Sequence, residues 1–424
     1  MSNTLKIGAV SGLIVAIGSI IIASIYFNIA YELTLFYIIS FFLLLASAYY
    51  FIIVWNFQKP TLDYDFFPRV SLMAYGWESG NVIERKIENY LAQDYPKDKF
   101  EVIIYDNKSI DETPQICRQY EKEGLIQYYT PPKFYDRKAP VLDQAIEKYA
   151  DREVVALTDP DGVCERDWAK KIMQPFKDPK VGAVVGVTHC GNYHKNLFLK
   201  FRAIEDEWWY HITVLGRNGK IKITDFQPIC GANYALRKAA WKDVDRSHGN
   251  SLVEDYEMTL RLFNKGWRIA AVDAHVWQEE VEDIKQYMRQ RRRWYASNLK
   301  EILRGKRKIA KSLGALPISM QSVTFLSLIY FILVCFYQAF QGDLSLYTIF
   351  FALSFLLNFL SLSYGLLKVG KSNLIWYVPL FLTFDSALQL FVFLETKFRY
   401  RKEMKWVKLV EGKYYHVGNE LKMD

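Results

Sequence analysis

The hydrophobic positions of residues 68–190 alternate between two patterns. Short apolar runs, RVSLMAY, FEVIIYD, EVVALTD and VGAVVGV, predict strands. The segments between them have helical spacing, as in NVIERKIENYL, which places Ile83, Ile87 and Leu91 on one face. Because the strand runs are apolar throughout, the pattern predicts an α/β fold, a mostly parallel sheet with helices on both faces. We expect this domain to span residues 57–297.

Two long apolar runs precede this domain. Residues 7–27 and 33–55 carry no charged side chain, and each exceeds about 20 residues, the length that crosses a bilayer as a helix. We therefore predict a transmembrane hairpin over residues 1–56. Its Tyr31-Glu32 link would lie outside, so that the following domain is cytoplasmic and the protein is a multi-pass protein of the cell membrane.

The C-terminal part of the chain, residues 314–396, is predicted to be a second transmembrane region. It holds three further apolar runs, residues 317–340, 344–367 and 373–394. Three crossings from the cytoplasm would leave the basic tail, residues 397–424, outside, against the tendency of Lys and Arg to stay inside. Pro379 and Asp385 make the last run a candidate for a re-entrant or interfacial segment, unless Asp385 faces a hydrated path. The number of crossings stays open.

The charge distribution favours a membrane surface as a partner. The chain has 54 Lys and Arg against 46 Asp and Glu, a formal net charge of +8, and the excess lies next to the apolar runs. Basic clusters in this position suit anionic membrane lipid. No zinc-finger, RNP or basic-zipper spacing accompanies them, so nucleic acid is not an expected partner.

The five cysteines form no CxxC pair, which argues against a disulfide scaffold or a four-cysteine zinc site. His189, Cys190 and His194 form a loose sequence cluster. Three potential ligands at this spacing are more typical of a loop than of a metal site.

Polar residues follow three of the predicted strands. Tyr75, Asp106 and the Asp159-Pro160-Asp161 segment each end one, and ligands of open α/β sheets bind beyond the carboxyl ends of strands. Each segment alone also suits an ordinary turn or helix cap. Together they predict a nucleotide site. Asp106 would accept hydrogen bonds from a base or ribose, and Tyr75 would stack on the base or simply pack.

The two carboxylates of the Asp159-Pro160-Asp161 segment are candidate ligands for Mg²⁺ or Mn²⁺. Both are hard oxygen donors, and a cation between them would neutralise charge on a leaving diphosphate. No GxxxxGK[ST] or GxGxxG motif is present, which disfavours a P-loop or dinucleotide site. Lys138 adds a candidate phosphate contact, although a lone lysine is more often solvated.

Two later segments supply candidate acceptor and catalytic residues. In QPICGANYALR, Gly231, Ala232 and Asn233 form a tight turn of small residues that a ligand can approach closely. In VEDYEMTLRLF, Asp255 suits a general base that takes the proton of an acceptor hydroxyl, with Glu254 or Glu257 orienting it. The alternative is that these acidic residues only stabilise a helix start.

The QRRRW segment belongs to predicted amphipathic interface helices over residues 283–313. In a helix, Gln290, Arg293 and Trp294 lie at i, i+3 and i+4, so an amide, a guanidinium and an indole share one face. Such a face suits a pyrophosphate and a sugar ring. The alternative is a helix that rests on anionic lipid.

The ordered series AYGWESG, YDNKSIDET, Lys138, DPD, CGANYALR, VED and QRRRW resembles the membrane-embedded processive synthases of glycosyltransferase family 2. This group makes cellulose, chitin, hyaluronan and poly-N-acetylglucosamine. The resemblance implies a GT-A fold, inverting transfer from a nucleotide-diphosphate sugar, usually UDP-linked, and a divalent metal.

Matched by position, the motif residues take the family's roles as expectations. Asp106 resembles the base-binding Asp, Asp159 and Asp161 the DxD motif, and Asp255 the catalytic base of TED. Gln290, Arg293 and Trp294 resemble QxxRW at the donor pyrophosphate and acceptor sugar, and Cys230 with Gly231 resembles the turn near the acceptor. Val253 in place of Thr, and YDNKSID in place of DDGSTD, depart from the family pattern.

The leading functional prediction is elongation and translocation of a polysaccharide at the cytoplasmic face, with room for a small membrane partner subunit. A second hypothesis is transfer of one sugar to a lipid acceptor, since ceramide glucosyltransferases share a (Q/R)xxRW motif. A third, a non-catalytic assembly protein with a degenerate domain, predicts that no nucleoside diphosphate is released. The sugar and its linkage are not determined by these motifs.

Overall fold

The computed structural model describes residues 31–61, 63–135, 138–223, 226–246, 254–288, 290, 291, 294 and 346–398. Several predicted parts lie outside these residues: the first apolar run (7–27), the run at 317–340, the tail from residue 399 and most of the interface helices. No helix in the described part of the chain combines the length and apolarity needed to cross a membrane.

One sheet of eight strands organises the middle of the chain. Its strands are β1 Val70–Gly76, β2 Phe100–Asp106, β3 Gln127–Tyr129, β4 Val154–Thr158, β5 Val163–Cys164, β6 Val181–Cys190, β7 Asn233–Arg237 and β8 Arg268–Gln278. Their spatial order is β3-β2-β1-β4-β7-β6-β8-β5.

Helices connect the strands and flank the sheet. Those before β6 are α1 Tyr31–Asn56, α2 Gly80–Leu91, α3 Thr113–Lys122, α4 Lys138–Tyr149 and α5 Trp168–Met173. Those after it are α6 Leu197–Asp206, a π-helix Glu207–Ile212, α7 Thr213–Gly216, α8 Lys238–Asp243, α9 Glu254–Lys265, α10 Leu346–Lys368 and α11 Val378–Phe398. Short 3₁₀ helices occur at Gln174–Lys177 and Ser372–Tyr377.

The sheet is mixed: six of its eight strands run in one direction, and β5 and β7 run in the other. The β3-β2-β1-β4 half is parallel as predicted. However, β7 runs antiparallel to both of its neighbours, and β5 runs antiparallel to β8. A strand buried on both faces is apolar whichever way it runs, so the hydrophobic pattern gives no information about its direction.

Two hydrophobic clusters cover the two faces of the sheet. Along β1, Val70, Leu72 and Ala74 join one cluster, while Met73 and Tyr75 join the other. This division follows the alternation of side chains across a strand. Each fully buried aliphatic side chain contributes roughly 1.5 to 3 kcal/mol to folding. The strand ends, which carry the candidate site residues, are therefore fixed by a core on both sides.

Helix α1 docks on the domain through its last turn. The Asn56 side-chain amide donates to the carbonyl oxygens of Gly216 (2.6 Å) and Ile221 (2.8 Å), and its oxygen accepts from the Ile221 N–H (2.9 Å). Gly216 lies against the Ile53 backbone so closely that a Cβ there would collide with it. A third cluster joins α1 to α6, the π-helix, α10 and α11.

Candidate functional site

The carboxylates after β4 lie at the carboxyl end of the parallel half of the sheet. Asp159 Oδ1 accepts a 2.7 Å hydrogen bond from Lys138 Nζ, and Gln278 Nε2 lies 3.5 Å from Asp159 Oδ2. The Asp161 carbonyl accepts from Arg85 at 3.2 Å. Burial lowers the pKa of Lys138, but the carboxylates of Asp159 and Glu254 outweigh it and raise the pKa overall, so the lysine stays charged.

The carboxylate of Asp106, at the end of β2, accepts three hydrogen bonds. The donors are the Ser109 N–H (3.1 Å), the Ser109 hydroxyl (2.5 Å) and the Tyr128 hydroxyl (2.8 Å). Burial raises the pKa of Asp106, and these hydrogen bonds oppose that rise. The predicted nucleotide contact is thus held rigidly, although three of its acceptor positions are already in use.

Asp255 lies in the first turn of α9. Its Oδ2 accepts a 2.8 Å hydrogen bond from the Gly231 N–H, and its Oδ1 accepts from the Tyr256 N–H at 2.7 Å. A Cβ at Gly231 would lie 3.0 Å from Asp255 Oδ2, so a side chain at this position would crowd the carboxylate. The predicted acceptor turn and the predicted base are therefore direct neighbours.

The three segments belong to one region of the fold. Lys138 Nζ lies 5.8 Å from the ring centre of Tyr75. Burial raises the pKa of Tyr75, Lys138 lowers it, and Asp106 and Glu254 raise it further. Burial raises the pKa of the Cys230 thiol to about 12, and the carboxylates of Asp255 and Asp159 contribute to the rise. The structure thus brings the predicted donor, metal and acceptor residues of the domain together.

The QRRRW segment reaches the same region through Trp294, which packs against Phe226, Tyr256 and Leu260 beside Asp255. Residues 284–288, 290, 291 and 294 are helical, and Arg293 lies outside the described residues. Gln290 Oε1 is buried and has no hydrogen-bond partner within the part of the chain that the structure describes. A ligand hydroxyl or amide would satisfy this acceptor.

Arg291, which was not predicted as a site residue, is buried, with 1% of its surface exposed. Its guanidinium donates to Glu205 and lies 4.5 Å from the Tyr287 ring centre and 4.3 Å from that of Trp294. The Arg291 guanidinium therefore restricts the orientation of the Trp294 indole. The spacing of Tyr287, Arg291 and Trp294, four and then three residues apart, is the sequence signal that indicates it.

Three further residues around the Asp159–Asp161 turn were also missed. Gln278, Arg85 and Lys86 contact it from β8 and α2, and the buried Lys86 ammonium donates to the Gly162 carbonyl at 2.5 Å. All three are distant from the turn in sequence, so no local motif indicates them.

The residues present fit a hard divalent cation of the predicted kind. Asp159 and Asp161 are partly exposed, and the Lys138 ammonium already occupies a cation position on Asp159. Mg²⁺ in nucleotide enzymes uses one or two carboxylates and takes its other ligands from phosphates and water. The carboxylate pair has this donor chemistry.

Comparison with known proteins agrees with this arrangement. Residues 68–297 match the model of the family described as glycosyltransferase like family 2. The chain is 28% identical over 245 residues to "Probable glycosyltransferase YdaM" of Bacillus subtilis, covering 56% of this chain and 57% of that protein. It is 26% identical over 239 residues to a beta-monoglucosyldiacylglycerol synthase of Nostoc, covering 54% and 48%.

A third relative is the catalytic subunit of a UDP-forming cellulose synthase from Pseudomonas fluorescens, 28% identical over 255 residues, covering 58% of this chain and 32% of that protein. The match thus spans about half of the first relatives or less. Among solved structures, the mannosyltransferase PcManGT from Pyrobaculum calidifontis, in complex with GDP-Man and Mn²⁺, is similar with a TM-score of 0.51 and 17% identity. It covers 85% of this chain and 99% of that one, which supports a common fold.

The family match covers more than half of the chain and contains the strand-end carboxylates, the Gly231–Asp255 contact and the helix of Trp294. The chain therefore belongs to glycosyltransferase family 2, with residues 68–297 as its glycosyltransferase domain.

Proposed function

We propose that the protein is an inverting glycosyltransferase that uses a nucleotide-diphosphate sugar, with Asp255 as its general base. The supporting observation is a pair of held carboxylates in one domain: Asp255 accepts from the Gly231 N–H at 2.8 Å, and Asp159 accepts from Lys138 at 2.7 Å. Single-displacement transfer needs a base on the acceptor side and positive charge on the leaving-group side. Asp255 and the Lys138–Asp159 pair supply these two sides.

In this mechanism Asp255 takes the proton of an acceptor hydroxyl as its oxygen attacks the anomeric carbon. The Gly231 N–H and the Tyr256 N–H hold one oxygen each of the carboxylate, which fixes its direction while further lone pairs remain for the substrate. The bond from the anomeric carbon to the nucleoside diphosphate breaks as the new bond forms. Mg²⁺ or Mn²⁺ at Asp159 and Asp161, when bound, would neutralise the departing diphosphate.

The donor would lie across the ends of β1, β2 and β4. Asp106 would accept from the base or ribose, and Tyr75 would lie along the base. Lys138 would contact the diphosphate, and Gln290, Arg293 and Trp294 would close over the pyrophosphate and the acceptor sugar. UDP is our first choice of nucleotide, because the UDP-forming cellulose synthase is among the relatives.

Replacement of Asp255 by Asn tests the base. Turnover should fall by about a hundredfold to ten-thousandfold, the range that general base catalysis contributes, while UDP binding measured by calorimetry should persist. Asp65→Asn removes an exposed carboxylate of the same domain and should leave turnover unchanged. Turnover that survives in Asp255→Asn would show that another group is the base.

For the acceptor, we keep polysaccharide elongation at the cytoplasmic face of the cell membrane as the leading proposal. The cellulose synthase relative supports it. The beta-monoglucosyldiacylglycerol synthase relative favours the second candidate, transfer of one sugar to a lipid. Purified protein with a UDP-sugar and no added lipid should give products of many lengths if the first proposal is right. A single glycolipid, formed only when diacylglycerol is supplied, would establish the second.

A further inference from the structure

A second cluster of ligand-type side chains lies apart from the transferase residues. In the sequence His189 is next to Cys190 and close to His194, but in the fold its ring contacts Glu207 and His275 instead. One ring nitrogen each of His189 and His211 and a carboxylate oxygen of Glu207 all lie within 4.8 Å of one another. All three residues are buried, with 7%, 3% and 3% of their surface exposed. This cluster is the one group of three such residues in the described part of the chain.

The geometry around Glu207 is symmetrical. Its Oε1 lies 2.7 Å from His189 Nδ1, and its Oε2 lies 2.8 Å from His211 Nδ1. Two imidazole nitrogens therefore lie at the two oxygens of one buried carboxylate. Imidazole and carboxylate donors of this kind are typical of zinc and related divalent transition metals, whose Zn–N and Zn–O bonds are about 2.0 to 2.2 Å.

The backbone that carries Glu207 and His211 is itself unusual. Both lie in the π-helix Glu207–Ile212, inserted between α6 and α7. Turns of π-helix are rare and occur frequently at functional sites. His189 comes from β6, and stacking fixes its ring, with centroid distances of 5.0 Å to His275 and 5.3 Å to Trp277.

His275 and Asp273 extend the cluster beyond His189. His189 Nε2 contacts His275 Nδ1 at 2.7 Å, and His275 Nε2 lies 3.0 Å from Asp273 Oδ1. His211 Nε2 is buried without a hydrogen-bond partner among the described residues.

A divalent cation would fit these contacts. With the metal on both Nδ1 atoms, His189 and His211 are neutral and carry their hydrogens on Nε2. His189 then donates to His275 Nδ1, and His275 donates from Nε2 to Asp273. The His211 Nε2–H points toward the same Asp273 Oδ1, 3.6 Å away. This is the carboxylate and histidine outer shell that orients ligands of bound metals. Glu207 would supply the nearest negative charge to the cation, since Asp273 also pairs with Lys59 at 3.2 Å.

We propose that His189, Glu207 and His211 bind a zinc-type divalent transition metal at a structural site that ties β6 and the π-helix together. Asp273 and His275 of β8 orient the two histidine ligands through their Nε2 atoms. The site is separate from the cation at Asp159 and Asp161 that transfer would use. It also differs in chemistry, because its ligands include nitrogen whereas the Asp159–Asp161 pair offers only oxygen. The proposal does not depend on the function proposed above.

Metal content of the full-length protein tests the proposal. After metal depletion, incubation with Zn²⁺ and gel filtration, wild-type protein should retain about one equivalent of zinc. Zinc should also raise its Tm, and Co²⁺ in its place should give visible absorption from a site with nitrogen and oxygen ligands. His211→Asn should lose the retained zinc and the rise in Tm. His194→Asn, an exposed histidine of the neighbouring loop, is the matched control and should keep both.

Two further measurements keep the outcome decisive. UDP binding by His211→Asn, measured by calorimetry, would show that the variant is folded and that only the second site is lost. Asp273→Asn leaves the three ligands in place, changes the outer contact and the pair with the exposed Lys59, and should weaken zinc affinity by about tenfold or more. If wild-type protein retains no zinc and shows no Co²⁺ absorption, or if His211→Asn retains as much zinc as His194→Asn, the proposal is wrong.

Discussion

At the scale of single residues, two lysine–aspartate pairs with the same N–O distance differ in burial, and burial determines how strongly the lysine charge is felt by a ligand. Lys138–Asp159 and Lys177–Asp65 each span 2.7 Å, but the side chains of the first pair are 10% and 35% exposed and those of the second 61% and 58%. An exposed pair contributes about 0 to 1 kcal/mol because water and salt screen it. The charge of Lys138 is less screened, so it acts on whatever binds beside it.

Lys138→Gln should therefore weaken the binding of UDP by at least about tenfold, or about 1.4 kcal/mol. The loss would come from one missing positive charge at the diphosphate, and Asp159 would also lose its partner. Calorimetry with UDP in the presence of Mg²⁺ or Mn²⁺ measures the effect. Lys177→Gln removes the exposed lysine and should leave UDP affinity unchanged. Equal affinities for the two variants would exclude Lys138 from the donor site.

Gly231 gives a second prediction at this scale. Alanine would place a Cβ 3.0 Å from Asp255 Oδ2, closer than most real contacts, so the carboxylate must move. Gly231→Ala should lower turnover by about tenfold, because the carboxylate shifts by less than the displacement of about 1 Å that costs about a hundredfold. UDP affinity and Tm should remain close to those of the wild type. A variant with normal turnover would show that the contact between Gly231 and Asp255 has no part in transfer.

At the scale of elements, a buried charge network attaches the helix of the QRRRW segment to α6. Arg202 of α6 contacts Glu205 (2.5 Å), Asp206 (2.8 Å) and Glu280 (2.8 Å). Glu205 also accepts from the Tyr287 hydroxyl at 3.1 Å and from Arg291. Glu205 thus bonds to both elements, and Arg291 in turn holds the Trp294 ring.

Glu205→Gln should loosen this attachment. It removes the negative charge shared by two buried arginines, and hydrogen bonds to charged groups contribute about 1.5 to 3 kcal/mol each. We expect a lower Tm and a red shift of tryptophan emission as Trp294 becomes exposed, which would be absent from a Glu205→Gln, Trp294→Phe double variant. Glu282→Gln, which breaks an exposed pair with Lys195, is the control. Unchanged emission would mean that α6 does not position the indole.

These elements also show how far the sequence predicts the fold. The parallel half of the sheet and the residues at its strand ends followed from apolar runs and the polar residues after them. The direction of β7 did not, because burial on both faces removes any directional pattern. The π-helix and the inward position of Arg291 depend on tertiary contacts with Glu207 and Glu205. Such contacts join residues too distant in sequence for periodicity to indicate them.

At the scale of the whole molecule, α1 and the glycosyltransferase domain meet at a few specific contacts. Asn56 forms three hydrogen bonds to the segment around Gly216 and Ile221, while Lys368 of α10 donates to the Val54 carbonyl at 3.0 Å. Between α1 and α10, Asn358 donates a single hydrogen bond of 3.0 Å to Ser47. The domain is therefore attached to the helices by backbone-directed polar contacts as well as by the apolar cluster.

The difference between Asn56 and Asn358 provides a matched test of this attachment. Asn56→Ala removes three hydrogen bonds, one to the buried Gly216 carbonyl and two to partly buried backbone groups of Ile221. At about 1 kcal/mol each, the expected loss is about 3 kcal/mol, against about 1 kcal/mol for Asn358→Ala. Thermal unfolding of the purified full-length protein should therefore show a clearly larger fall in Tm for Asn56→Ala. If the two variants unfold at the same temperature, the last turn of α1 does not secure the domain, and the apolar cluster alone holds these elements together.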